Sequence, residues 1–243
     1  MTFRESTQRL KVSCAVVAVG AISLILTSAV SAQEYTARLS VHWGPTHHSA
    51  IHAKMFADEV NKRADGRLRI DYFPSGQLFG VREQLGAVTS GAIEMGGIVG
   101  VVSFPPINKN FNVVSITGMF DSYGEQRAFF QDDPTGKAVW DDITKKSDSV
   151  LLMYDPVGPV MTFSTQELNG VKSMSGLKAR ALIGAERPMW EALGANTVSM
   201  PTGEVYSGLQ TGMIDTNNSP PGSIRAFSWW EYLTHGQKPY QYY

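Results

Sequence analysis

One alternation early in the chain does most to restrict how it can fold. Ala37, Leu39 and Val41 face one way while Arg38, Ser40 and His42 face the other, which is the period of two of a half-buried strand. Ile51, Met55, Phe56 and Val60 then recur at helical spacing, and Asp65-Gly66 closes that helix with a turn signal. Leu68, Ile70 and Tyr72 alternate with Arg67, Arg69 and Asp71 as a second strand. A strand, a helix and a strand within about forty residues make a βαβ unit, whose strands are parallel and whose crossover is right-handed.

The same grammar continues. A helix is predicted over 81–90, a short strand over 93–98, a strand over 113–116, and helices over 125–130 and 136–145. Val150, Leu151, Leu152, Met153 and Tyr154 form an unbroken apolar run, which predicts a strand covered on both faces. Asp155, Pro156, Gly158 and Pro159 break the pattern and mark a crossing between domains. Strands over 160–164, 177–182, 197–200 and 213–216 follow, alternating with helices over 186–193 and 203–211, Thr202 serving as an N-cap for the latter, and an aromatic helix over 223–232. The fold class is α/β, in two lobes joined by extended segments.

Residues 1–32 are of another kind. Arg4, Arg9 and Lys11 precede an apolar stretch from Cys14 to Leu26, and Val30-Ser31-Ala32 supplies small residues where a signal peptidase cuts. A cleaved leader and export are expected, in preference to a membrane anchor at the short edge of the spanning range. Cys14 is the only cysteine and lies in this leader, so the mature chain is expected to hold no disulfide, thiol nucleophile or cysteine-ligated metal.

With 21 basic and 22 acidic residues there is no electrostatic footprint for nucleic acid. In open α/β sheets ligands bind beyond the carboxyl ends of strands. Trp43, Tyr154, Asp155, Arg180, Asn217, Asn218 and Ser219 stand at such ends. One cation, amides, a hydroxyl and aromatics suit the binding of a small acid and include no set for chemistry on it. No Gly-x-Ser-x-Gly elbow occurs, Gly96, Gly97 and Gly100 do not form the dinucleotide fingerprint, and Thr135-Gly136-Lys137 lacks the first glycine of a phosphate loop, Gln131 standing there.

The stretch 42–97 with its FPSGQL, GLKARAL at 176–182, and GEVYSGLQTG within 192–221 resemble the extracytoplasmic solute-binding proteins of TRAP (tripartite ATP-independent periplasmic) transporters, of the DctP type. The resemblance implies a two-lobed periplasmic-binding-protein fold with a ligand cleft between the lobes. It implies a periplasmic protein that hands a small organic acid to membrane permease subunits, with no cofactor and no catalysis, and a monomer is expected. Residues 33–156 then form the first lobe and 157–238 the second, and 239–243 start a return crossing; relatives continue into a further strand and helices, so the chain reads as an incomplete member. The family's carboxylate-binding arginine matches Arg180, and its frequent ligand-contacting asparagine falls on Ser219, with Asn218 beside it. Pro159 stands where many members have a second arginine and Thr202 where many have an aromatic residue, which speaks against a dicarboxylate and a stacked ring. Arg180 is expected at the cleft, contributing little to the core.

Each of these residues also has a plainer reading: a surface-paired strand arginine for Arg180, core packing or turn chemistry for Trp43, Tyr154 and Asn218. The competing functional reading is a periplasmic hydrolase or metal-binding protein using His42, His47, His48 and His52, since His48 and His52 stand four apart on a helix.

Overall fold

The computed structural model describes residues 35–242, so the predicted leader lies outside the described residues. The βαβ unit forms as its periodicities require: β1 (Tyr35–Ser40), α1 (His48–Arg63) and β2 (Leu68–Phe73), with β1 and β2 parallel from Tyr35↔Leu68 to Ser40↔Phe73. The buried face of α1 is small, through Ala50, Ala53 and Ala57, so the helix lies close on Leu39, Val41 and Ile70. Asn61 ties it to β2, donating to Ile70 O at 3.0 Å and accepting from Ile70 N at 2.6 Å. Asp65 and Gly66 make the reversal in the left-handed region, at φ 50° and 80°.

The first sheet has the order β2-β1-β3, with β3 only Met95–Gly96. α2 (Gln84–Thr89) and α3 (Gly100–Ser103) flank it. An aromatic cluster then forms between the 3-10 turn Lys109–Ser115, α4 (Tyr123–Asp132) and α5 (Pro134–Ser147), around Phe111, Phe130 and Ile143 with Phe104 and Trp140 against it.

The second sheet joins β4 (Val160–Ser164), β5 (Lys178–Arg180), β6 (Asn196–Val198), β7 (Thr216–Ser219) and β8 (His235–Tyr242) in the order β6-β5-β7-β4-β8. β5 is parallel to β6 and β7, whereas β4 runs antiparallel to β7 and β8. One apolar cluster, built on Trp190 of α6 (Glu186–Ala192), includes Leu177 and Ala179. Another, built on Trp229 with Val205 and Leu209 of α7 (Val205–Gln210) and Ile224 of α8 (Pro221–Ala226), takes Phe163 and Val198.

Five expectations are corrected. Residues 113–116 end a 3-10 turn instead of forming a strand: Asn108 caps it by accepting from Asn110 N, and Phe111 and Val114 bury at a spacing of three. The apolar run 150–154 joins no ladder among the described strands, and Val150 and Leu152 are 82% and 61% exposed. The strand expected at 213–216 lies at Thr216–Ser219, because Met213 and Ile214 are held in a turn by Gly208 O and Asp215 is fastened to Lys178, accepting from its backbone N at 3.0 Å. The helix expected over 223–232 is broken at Ser228, which sits at φ 58°, leaving α8 and a short 3-10 turn. Thr202 starts a 3-10 turn for which Pro201 stands at the N-cap position.

Candidate functional site

β5 ends on Arg180, whose register partner in β7 is Asn217, so both side chains leave the same face of the second sheet. Arg180 is 2% exposed. Its Nε donates to Met200 O at 3.0 Å, one terminal nitrogen to Asn217 Oδ1 at 3.2 Å and the other to Thr202 Oγ1 at 3.0 Å. The Trp229 ring lies under the guanidinium, 5.7 Å from centroid to carbon. Arg180 is therefore an interior residue of this sheet, and the expectation that it contributes little to the core is corrected. With its Oδ1 held by Arg180, Asn217 keeps a buried amide nitrogen with no hydrogen-bond partner.

The predicted residues divide into two groups. Arg180 and Thr202 are brought together, and strand alternation puts Ser219 on the face of Asn217. Asn218 leaves the opposite face and accepts from Thr162 Oγ1 at 3.1 Å, its amide nitrogen also buried without a partner. Trp43, Tyr154 and Asp155 stand apart from these in the first lobe, lining a mainly apolar cavity of about 680 Å³. Arg180, Thr202, Asn218 and Ser219 do not line that cavity. Burial, with Tyr123 adding to it, pushes the Tyr154 hydroxyl up to about 12. Asp155 Oδ1 meets His52 Nδ1 at 2.7 Å, and its other oxygen is buried without a partner.

The four histidines do not converge. His47 Nδ1 accepts from Ser49 N at 3.2 Å while its Nε2 meets Ser223 Oγ at 3.2 Å, and His52 turns to Asp155. Among the described residues no group of three or more His, Cys, Asp or Glu is placed to hold a metal ion, so the reading of this cluster as a metal centre gains no support. Burial, then His47, lowers His42 to about 4, so its ring is neutral at ordinary pH.

The lobes meet at a few polar contacts. Arg82 donates to Leu182 O at 3.0 Å, Thr46 Oγ1 to Ala226 O at 3.3 Å, and His47 faces Ser223. Leu182 is itself held by Glu186, whose Oε2 accepts from Leu182 N at 2.9 Å and Ile183 N at 3.3 Å. Sequence reading missed Ser223, Glu186 and the seat of Trp229 under Arg180. Ser223 and Trp229 make contacts between segments far apart in the chain, whereas Glu186 caps backbone only three and four residues before it, and neither periodicity nor motif singles any of them out.

The two α/β lobes have the fold of periplasmic solute-binding proteins. The family model for bacterial extracellular solute-binding protein, family 7 (DctP), matches residues 39–238, and the chain belongs to that family. It is 27% identical over 215 residues to the C4-dicarboxylate-binding periplasmic protein DctP of Rhodobacter capsulatus, covering 86% of this chain and 63% of that one. Among solved structures, a TRAP periplasmic solute-binding protein of Sulfurospirillum deleyianum with bound succinate superposes with a TM-score of 0.76 at 23% identity, covering 84% of this chain and 65% of that one. One from Haemophilus influenzae with bound L-gulonate gives 0.74 at 21%, covering 83% and 66%. The chain thus spans less than two thirds of these relatives.

Proposed function

We propose that this protein captures a small organic acid between its lobes and delivers it to the membrane permease subunits of a TRAP-type transporter. Residues 1–32 are a cleaved signal that sends it to the periplasm, 33–156 make the first lobe, and the second lobe runs from 157 through β8, which stays paired with β4 up to Tyr242. The observation that carries the reading is Arg180, a cation 2% exposed at a strand end, oriented by Met200 O, Asn217 and Thr202. A guanidinium so held is suited to a planar carboxylate, which it can meet with two parallel hydrogen bonds. The relatives support the ligand class: one is named for C4-dicarboxylates and the two structures hold succinate and L-gulonate.

Arg180 anchors the carboxylate. Thr202 and Ser219 approach the solute from the second lobe, and Trp43, Tyr154 and Asp155 from the first; Asn218, turned to Thr162 on the opposite face, takes no part in holding it. A hydroxyl at Thr202 fits a polar acid in place of a stacked ring, and Pro159 leaves only one guanidinium for the anchor. Mass spectrometry of acid released from purified, denatured protein tests the reading, followed by calorimetric titration with that acid, succinate and L-gulonate. A micromolar or tighter carboxylate is expected. Protein that carries no acid and gives no heat with any carboxylate in such a panel overturns the proposal.

A further inference from the structure

His47 is fully buried where the lobes touch. As the N-cap of α1 its Nδ1 accepts the Ser49 amide, so the lone pair is on Nδ1 and the neutral ring carries its proton on Nε2. That Nε2–H faces Ser223 Oγ, itself buried in the first turn of α8 on the other lobe, at 3.2 Å. The ring lies between Trp43, stacked at 5.5 Å and 16°, His48 at 4.4 Å, and Phe227 of the second lobe at 6.0 Å. Thr46, one residue earlier, donates to Ala226 O beside it.

We propose that His47 is the closure latch, a positioning residue that in its neutral Nε2–H form ties the start of α1 to the start of α8 and on protonation lets the lobes part. This rests on the reading of the protein as a receptor that closes on a solute. A protonated ring loses the lone pair that caps α1 and becomes a buried cation between aromatic rings, so the contact and the charge exclude each other.

The titratable groups around the ring are His42 at the end of β1, His48 and His52 on α1 itself, and Asp155 from the segment linking the lobes; Arg225 on α8 is exposed. Burial first, then His48, lowers His47 from 6.5 to about 4, and Asp155 opposes the fall. The sign follows directly. Opening returns the ring to water and to its ordinary value near 6.5, so the closed form is unaffected above that pH and loses stability as pH falls from 6.5 towards about 4. The loss approaches about tenfold in the closing equilibrium per pH unit.

Spin labels on Asp58→Cys and Lys172→Cys, exposed on the two lobes, in a Cys14→Ser background, report the inter-lobe distance, and nitrogen NMR reports the imidazole tautomers. His47→Asn keeps an N-cap oxygen but is too short to reach Ser223, and Ser223→Ala removes the partner while leaving the cap. The parent should close with the acid it carries at pH 7.5, open progressively below pH 6, and show a neutral Nε2–H ring at pH 5.5. Both variants should be more open at pH 7.5 at unchanged helix content, and His47→Asn, which removes the titrating ring, should lose the pH response. If the parent closes on the acid but its distance ignores pH and both substitutions, or if the ring titrates near 6.5 in the closed state, the latch is wrong while the receptor reading stands. If neither acid nor pH moves the lobes, both fall.

Discussion

Replacing Arg180 by alanine removes more than a ligand contact. Met200 O, Thr202 Oγ1 and Asn217 Oδ1 lose their donor in a place with 2% exposure, and each buried group left unpaired costs roughly 1–3 kcal/mol. Arg180→Ala is therefore expected to lower the urea midpoint clearly, so calorimetry on that variant alone confuses folding with binding. Arg180→Lys keeps the charge but cannot present two parallel donors. It should remain folded by circular dichroism and bind the released acid at least about thirtyfold more weakly, from a loss of about 2 kcal/mol at 1.4 kcal/mol per factor of ten. A lysine variant within threefold of the parent would mean that the anchor is elsewhere. Arg180 itself was legible in the sequence through GLKAR. The sequence marks its partner Thr202 as an N-cap and as a departure from a pattern but not as a partner of Arg180, because the hydrogen bond between them depends on how β6 and the turn after it return to β5.

Element ends offer cleaner tests. Gly136 lies in the first turn of α5, where an added Cβ would stand 2.0 Å from the Phe129 carbonyl oxygen of the preceding helix. The obstacle is backbone, so Gly136→Ala should cost about 3 kcal/mol, the upper end of overpacking, and lower the melting temperature by about 6–12 °C. This glycine belongs to Thr135-Gly136-Lys137, which resembles part of a phosphate loop in sequence; its reason is the close passage of two helices. Ser122→Ala, which removes the hydroxyl accepting from Glu125 N at 3.1 Å at the start of α4, should cost ~1 kcal/mol by chemical denaturation.

The end of the first sheet carries a pH test. Arg38 holds Glu94 down to about 2 by their side-chain hydrogen bond, from an ordinary 4.5. That contribution is present above pH 4.5 and is lost as pH falls towards 2. Because the pair is exposed and screened the contribution is small. Denaturation midpoints should show a Glu94-dependent fall in that window, absent in Glu94→Gln and diminished in 1 M salt; a fall of equal size in Glu94→Gln would assign it to other carboxylates.

At the scale of the whole molecule, the apolar segment 150–153 determines how the chain behaves in solution. Val150, Leu151, Leu152 and Met153 are 82%, 43%, 61% and 43% exposed, and Met55 nearby is 62% exposed. Such a patch promotes association. The chain as written should bind a hydrophobic dye and self-associate in light scattering, and Val150→Thr with Leu152→Asn should reduce both at unchanged melting temperature. A marked loss of stability in that variant would mean that the segment is buried in solution.

The sequence by itself determined the βαβ opening, the two α/β lobes and the position of Arg180 at the end of a strand. These rest on neighbours two, three or four residues apart and on short motifs, where side-chain period and turn chemistry act locally. Only the tertiary structure decided that 150–154 lie outside the ladders of the described strands, that Asn218 faces away from Arg180, that His52 turns to Asp155, and that His47 meets Ser223. A strand exists only when another offers it hydrogen bonds, and a side chain faces a site only when the register of its sheet turns it there. Those are contacts between distant segments, and no local period encodes them.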